Sequence, residues 1–212
     1  MPSKRIIQLF DTSLGEDEAK AASEVIRSGW LSQGSKVAEF ESKFAEYVGT
    51  RFAVAVSSCT AALHLCLAES GITQGDEVIT TPLTFVATAN SILYQRARPV
   101  FADVDYKTFN IDPNQVLEKI TPRSKAVIPV HFAGEPADMR PIMEIAEDHN
   151  LIVIEDAAHA PGAEYHGAKV GNIGDFGCFS FYPNKNMTTG EGGMITLNDP
   201  KRAERLRFLR SH

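Results

Sequence analysis

The stretch GCFSFYPNKNMTTGEGGM, residues 177–194, sets Lys185 between an apolar aromatic run and a glycine-rich turn. A loop lysine usually stays in water. One that is desolvated has a lowered pKa and becomes a nucleophilic amine suited to Schiff-base chemistry with a carbonyl. Five residues earlier stands Ser180. A second candidate lies in LIVIEDAAHA, where an apolar run ends in Glu155 and Asp156. A carboxylate buried there needs a cationic partner or a strong donor. A capping Asp, or one paired with a nearby Arg, remains open. His159 could join them around a metal, but the chain offers no convincing further ligands. In SSCTAALHL, small residues and the Thr60 hydroxyl lead straight into a helix. The free N–H groups and positive dipole end of a helix start suit a phosphate, and equally an ordinary N-cap. Phe85 in TTPLTFVATAN fits a core position, or a ring stacked on a flat ligand.

Positioning these groups falls to the elements around them. From Phe52 onward, short apolar runs alternate with helical stretches. FAVAVSS, EVITTP, RPVFADVD, KAVIPVHF and LIVIEDAAHA read as strands; TAALHLCLAESG, FVATANSILYQRA, PNQVLEKI and MRPIMEIAEDHN read as the helices between them. Continuous apolar strands alternating with helices predict an α/β fold, a three-layer sandwich around a mostly parallel central sheet. Ligands in such sheets bind beyond the carboxyl ends of the strands. Before Phe52, GEDEAKAASEVIRSG places Ala19, Ala22, Val25 and Ile26 on one helical face, and SKVAEFESKFAEYVG does the same with Val37, Phe40, Phe44 and Tyr47. At the other end, DPKRAERLRFLRSH predicts a helix with Ala203, Leu206 and Leu209 along one side and no terminator after it. That side is expected to be partly bare, as in an interrupted chain.

The 212 residues are enough for one large domain, and 43% hydrophobic with 23% charged residues is ordinary for a globular protein. A net charge of −6 gives no electrostatic case for nucleic acid. No apolar run approaches the ~20 residues of a membrane helix. MPSKRIIQLF lacks the long apolar core of a signal peptide. The three cysteines lie in no CxxC pair, which suggests a reducing compartment without a disulfide or zinc framework. A cytoplasmic location is expected, with neither a nucleic-acid nor a membrane partner.

A phosphate-ready helix start, a planar stacker, a strand-end Asp and a sequestered Lys together match what pyridoxal 5′-phosphate (PLP) requires. WLSQGSKVAEFE, SSCTAALHL, TPLTFVATAN, PVHFAGEPADM, IEDAAHAPGAEY and FSFYPNKNMTTGEGGM resemble the DegT/DnrJ/EryC1/StrS family of PLP-dependent sugar aminotransferases. The resemblance runs from about Ile6 onward and implies the large domain of the type I PLP-dependent transferase fold. It implies a PLP-binding domain over residues 34–212 after an N-terminal helical segment at 1–33, with the family's smaller C-terminal domain absent. By motif, Lys185 resembles the Schiff-base lysine and Asp156 the partner of the pyridine nitrogen. Thr60 and Ala61 resemble phosphate ligands at the helix start, and Ser180 a second phosphate contact. Phe85 matches the aromatic stacker and His159 a position near the ring hydroxyl. Tyr182 stands where many members have His.

The function implied is transfer of an amino group from glutamate or glutamine to a nucleotide-linked keto sugar, in polysaccharide biosynthesis and as a homodimer. A truncated, non-catalytic PLP-binding fragment is the alternative. A sugar dehydratase of the same family fits less well, because those enzymes replace the lysine with histidine. An NAD-binding protein is weaker still. The glycines of GNIGDFG and GEGG lack the required spacing between a strand and a helix.

Overall fold

The computed structural model describes residues 10–211; residues 1–9, part of the segment expected at 1–33, and His212 lie outside the described residues. Two helices come first, α1 (Glu16–Ser28) and α2 (Ser35–Val48). The alternating part follows as β1 (Phe52–Val56), α3 (Cys59–Glu69), β2 (Glu77–Thr80), α4 (Ala87–Tyr94), β3 (Arg98–Phe101), α5 (Pro113–Lys119), β4 (Ser124–Ile128), α6 (Met139–His149) and β5 (Ile152–Asp156). A small hairpin of β6 (Glu164–Tyr165) and β7 (Ala168–Lys169) precedes β8 (Phe176–Ser180), β9 (Gly193–Leu197) and α7 (Pro200–Ser211).

Seven strands form one sheet in the order β1-β9-β8-β5-β4-β2-β3. Every neighbouring pair from β8 to β3 is parallel, whereas β9 runs antiparallel to both β1 and β8. The sheet is therefore mostly parallel, as the alternating pattern implies. The reversal at β9 matters for the site. Parallel neighbours need a crossover, but antiparallel ones can be joined by a loop. Residues 181–192 form that loop, and they carry Lys185 out of the sheet at the carboxyl end of β8.

Side chains along each strand alternate between two cores. Val54, Val78, Ile128, Ile154, Cys178 and Ile195 face α3 and α7, in a cluster with Leu63, Leu67, Ala203 and Leu206. Ile79, Val127 and Val153 face the opposite way with Val116, Met139 and Ile142 of α5 and α6. Phe179 and Met194 do so with Phe44 and Val48 of α2. This is the three-layer arrangement. The inner strands β8 and β9 are buried at every position, which is why their sequences are apolar except at Ser180 and Thr196 instead of alternating.

The α7 expectation needs correcting. Ala203 and Leu206 are fully buried against α3 and β1 of this same chain, so its apolar side is covered at those two positions, and only Leu209 is half-buried. Phe208, on another side, is the exposed one. The amphipathic face of α1 has the opposite fate: none of its residues is buried, and Ile26 is exposed.

Candidate functional site

Asp156 closes β5 and is held by its main chain before its side chain is considered. Its N–H donates to Pro129 O at 2.9 Å, and its carbonyl accepts from His131 N at 3.1 Å. The carboxylate is 5% exposed. Oδ2 accepts from the Thr88 hydroxyl at 2.7 Å. Oδ1 accepts from the Ala158 N–H at 3.2 Å, with the Cys59 thiol at 3.9 Å. Among the described residues, no ion pair engages Asp156 or Lys185.

Lys185, His159 and Cys59 feel the Asp156 charge and thus share one neighbourhood. The Lys185 loop folds back through a bond from its own N–H to Tyr182 O at 2.9 Å. Burial lowers the pKa of the Lys185 ammonium, with Asp156 pulling the other way. His159 is half-buried in the turn after β5. Burial first, and then the Lys185 charge, lower its pKa, against the attraction of Asp156. Burial and the Asp156 charge push the Cys59 thiol well up, so it stays protonated and can only donate toward that carboxylate.

The start of α3 comes to the same end of the sheet. Ser58 caps it with an extended backbone and a hydroxyl that accepts from the Ala61 N–H at 3.1 Å. The ordinary N-cap is therefore present. The Cys59 and Thr60 N–H groups have no acceptor one turn back within the helix, so the helix start still offers donors to an anion. Ser180 closes β8 and pairs in register with Gly193, the first residue of β9. A Cβ at Gly193 would lie 2.4 Å from the Ser58 carbonyl carbon. Only glycine permits this approach, which brings Ser180 within one strand of the α3 start. Phe85 lies in the loop after β2, with its ring 73% exposed and its carbonyl accepting from the Thr88 N–H at 3.1 Å.

Glu155, the neighbouring carboxylate, points to the other side and is fully engaged. Oε1 accepts the N–H groups of Ile173 and Gly174, each at 2.8 Å. Oε2 accepts from Gly171 N at 2.8 Å and faces His131 Nε2 at 3.0 Å. The other His131 nitrogen, Nδ1, accepts the Ala137 N–H at 3.0 Å, so the ring proton sits on Nε2 and is given to Glu155. The GNIGDFG glycines thus form a backbone clamp for a carboxylate. Part of the clamp is a close approach that excludes side chains: a Cβ at Gly177 would lie 2.3 Å from Gly171 Cα.

The candidates from the sequence fall at the carboxyl ends of β1, β5 and β8 and in the loop after β2. Asp156, His159 and Lys185 come together at one point, and Thr60, Ala61 and Ser180 at the adjoining helix start. The sequence reading missed Thr88 and Cys59. Both stood inside quoted motifs, and a threonine early in the apolar helix FVATANSIL was the available signal. It also left Glu155 without its partners, because nothing in the linear chain ties His131 or the 171–174 turn to that residue.

The sequence profile of the DegT/DnrJ/EryC1/StrS aminotransferase family matches residues 12–212. The spore coat polysaccharide biosynthesis protein SpsC of Bacillus subtilis is 52% identical over 199 residues, covering 94% of this chain and 51% of that protein. The GDP-perosamine synthase of Caulobacter vibrioides is 51% identical over 188 residues, covering 88% and 51%. The PLP form of Spr1654 from Streptococcus pneumoniae superimposes with a TM-score of 0.92 at 31% identity, over 96% of this chain and 57% of that one. The chain spans about half the length of the curated relatives it matches.

Proposed function

Because the chain belongs to the DegT/DnrJ/EryC1/StrS aminotransferase family, we propose that its site binds PLP. On this reading it serves the transfer of an amino group from glutamate or glutamine to a nucleotide-linked keto sugar, in a cytoplasmic homodimer. The observation that carries the proposal is the placing of Asp156 and Lys185 in one neighbourhood without an ion pair between them. Among the described residues, a buried carboxylate without a paired cation shares its surroundings with a half-buried amine without a paired anion. Such a carboxylate calls for a cationic N–H, which a protonated pyridine ring provides. Such an amine, its pKa lowered by burial, calls for a carbonyl. The donor set fits PLP on both counts, and the helix start beside Ser180 fits its phosphate.

When bound, PLP supplies an electron sink for breaking and making bonds at the amino-bearing carbon. The chain's own residues do the rest. Asp156 holds the proton on the ring nitrogen. Lys185 would hold the aldehyde, and its amine, when free, would carry a proton at the substrate carbon. The Cys59 and Thr60 N–H groups and Ser180 would hold the phosphate, whereas the Ala61 N–H expected to join them is already given to the Ser58 hydroxyl. His159, kept neutral, offers a hydrogen bond beside the ring hydroxyl. Phe85, exposed in the loop after β2, would offer an aromatic face to the cofactor ring.

The test is to incubate the chain with PLP, reduce with borohydride and map the modified peptide. Modification at Lys185, abolished in Lys185→Ala, is the expected result. Modification at another lysine overturns the assignment. Adding glutamate or glutamine to the PLP-treated protein should bleach its visible absorbance, and a nucleotide keto sugar should restore it. PLP capture with no response to any amino donor would limit the reading to a cofactor-binding unit.

A further inference from the structure

We propose that Thr88 is a positioning residue for Asp156, with its hydroxyl aimed by a second threonine, Thr84. The inference rests on the reading that Asp156 meets the pyridine nitrogen of PLP.

Thr88 is the second residue of α4 and is fully buried. Three oxygens surround its hydroxyl: Asp156 Oδ2 at 2.7 Å, Thr84 Oγ1 at 2.7 Å and Phe85 O at 3.2 Å. A hydroxyl has one proton to give. The carboxylate is both the stronger acceptor and the better placed of the two that can only accept, so the proton goes to Asp156. Thr88 then can only accept from Thr84, and the Thr84 hydroxyl must be the donor of that bond. The result is a directed chain, Thr84 to Thr88 to Asp156, with both protons aimed at the carboxylate.

Each link is constrained. The β-branched side chain of Thr88 has few rotamers at a helix start. The Thr88 N–H is tied to Phe85 O, which joins this chain to the loop carrying Phe85. Burial excludes a water that could replace the Thr88 hydroxyl. On its other oxygen Asp156 has only the Ala158 N–H and a long thiol contact, so Thr88 is its shortest donor. The consequence is that Oδ2 is held toward the start of α4 and cannot turn freely. An aliphatic residue of the same shape would leave the carboxylate in place but free to turn.

Two ligands separate positioning from mere structural support: PLP and its 1-deaza analogue, in which a C–H replaces the ring nitrogen. The dissociation constant of each is measured on the wild-type chain and on Thr88→Val, Thr88→Ser and Thr84→Val. The wild type should bind PLP more tightly than the analogue. Thr88→Val should weaken PLP by about tenfold or more while leaving the analogue within about twofold. Thr88→Ser, which keeps the hydroxyl, should restore most of the preference, and Thr84→Val should lose part of it. Equal weakening of both ligands in Thr88→Val means a structural role only and overturns the proposal, as does an undiminished preference for PLP. Each comparison is made within one variant, so a general loss of stability cannot imitate the result. A wild type that binds the two ligands equally overturns the reading of Asp156 itself, and Thr88 then has no nitrogen contact to support.

Discussion

Two adjacent carboxylates, at the end of one strand, have opposite surroundings. Glu155 is saturated: three backbone N–H groups and one imidazole N–H converge on its two oxygens. Asp156 receives one hydroxyl, one N–H and a distant thiol, and among the described residues it forms no ion pair, Lys185 included. Strand alternation sends them to opposite faces. The Glu155 side knits β5 to the turn before β8 and to the segment after β4, and it finishes its hydrogen bonds within the protein. The Asp156 side leaves charge incompletely answered at the carboxyl edge of the sheet. Equal burial therefore says little about role; what separates the two is how many donors the protein itself supplies.

The sharpest way to break this contrast is to delete each carboxylate. Glu155→Ala leaves buried His131, the buried Gly171 N–H and the part-buried N–H groups of Ile173 and Gly174 without acceptors, a buried one costing about 1–3 kcal/mol. Chemical denaturation should register a loss of at least about 3 kcal/mol, a large part of a typical domain's stability. Asp156→Ala leaves far less unpaired. Its stability should change by no more than about 1–2 kcal/mol, while PLP affinity and any amino transfer fall by about tenfold or more. If Asp156→Ala unfolds the chain as readily as Glu155→Ala, the distinction between a structural and a ligand-facing carboxylate is wrong.

A pH experiment sharpens the same contrast. The pKa of Lys185 is depressed, so more of its amine is neutral at a given pH than in an ordinary lysine. Capture of the PLP aldehyde, followed by absorbance, should rise with pH through a midpoint below the usual lysine value. Asp156 opposes the depression, so Asp156→Asn should move the midpoint lower still. An unmoved midpoint in Asp156→Asn would show that the two groups do not interact.

The smallest expected effect belongs to His159. Its folded-state pKa lies below the usual value, so the folded protein prefers the neutral ring. That contribution to stability is fully present above the ordinary histidine pKa and is lost as pH falls through the depressed one. Replacing His159 with Gln should flatten the stability profile slightly across that window, read as a smaller drop in melting temperature on acidification. A profile identical to the wild type would mean that His159 titrates as a solvated histidine.

Much of this was legible along the chain. Local pattern determined the α/β architecture, because buried parallel strands must be apolar throughout and the helices between them must be amphipathic or buried. The small residues and hydroxyl of SSCTAALHL announced the α3 start, and Lys185 between CFSF and TTGEGG stood out by its setting. Tertiary structure decided what those residues meet. The reversal of β9 brings Gly193 against Ser58 and so places Ser180 beside the α3 start. Burial of Ala203 and Leu206 on α3 covers the face of α7 that the pattern alone left open. Thr88 reaches Asp156 across 68 positions of sequence, and His131 reaches Glu155 across 24. Propensity and periodicity act between near neighbours, so they determine elements and their apolar faces. Which donor reaches which carboxylate depends on strand order and register, and those exist only once the sheet has formed.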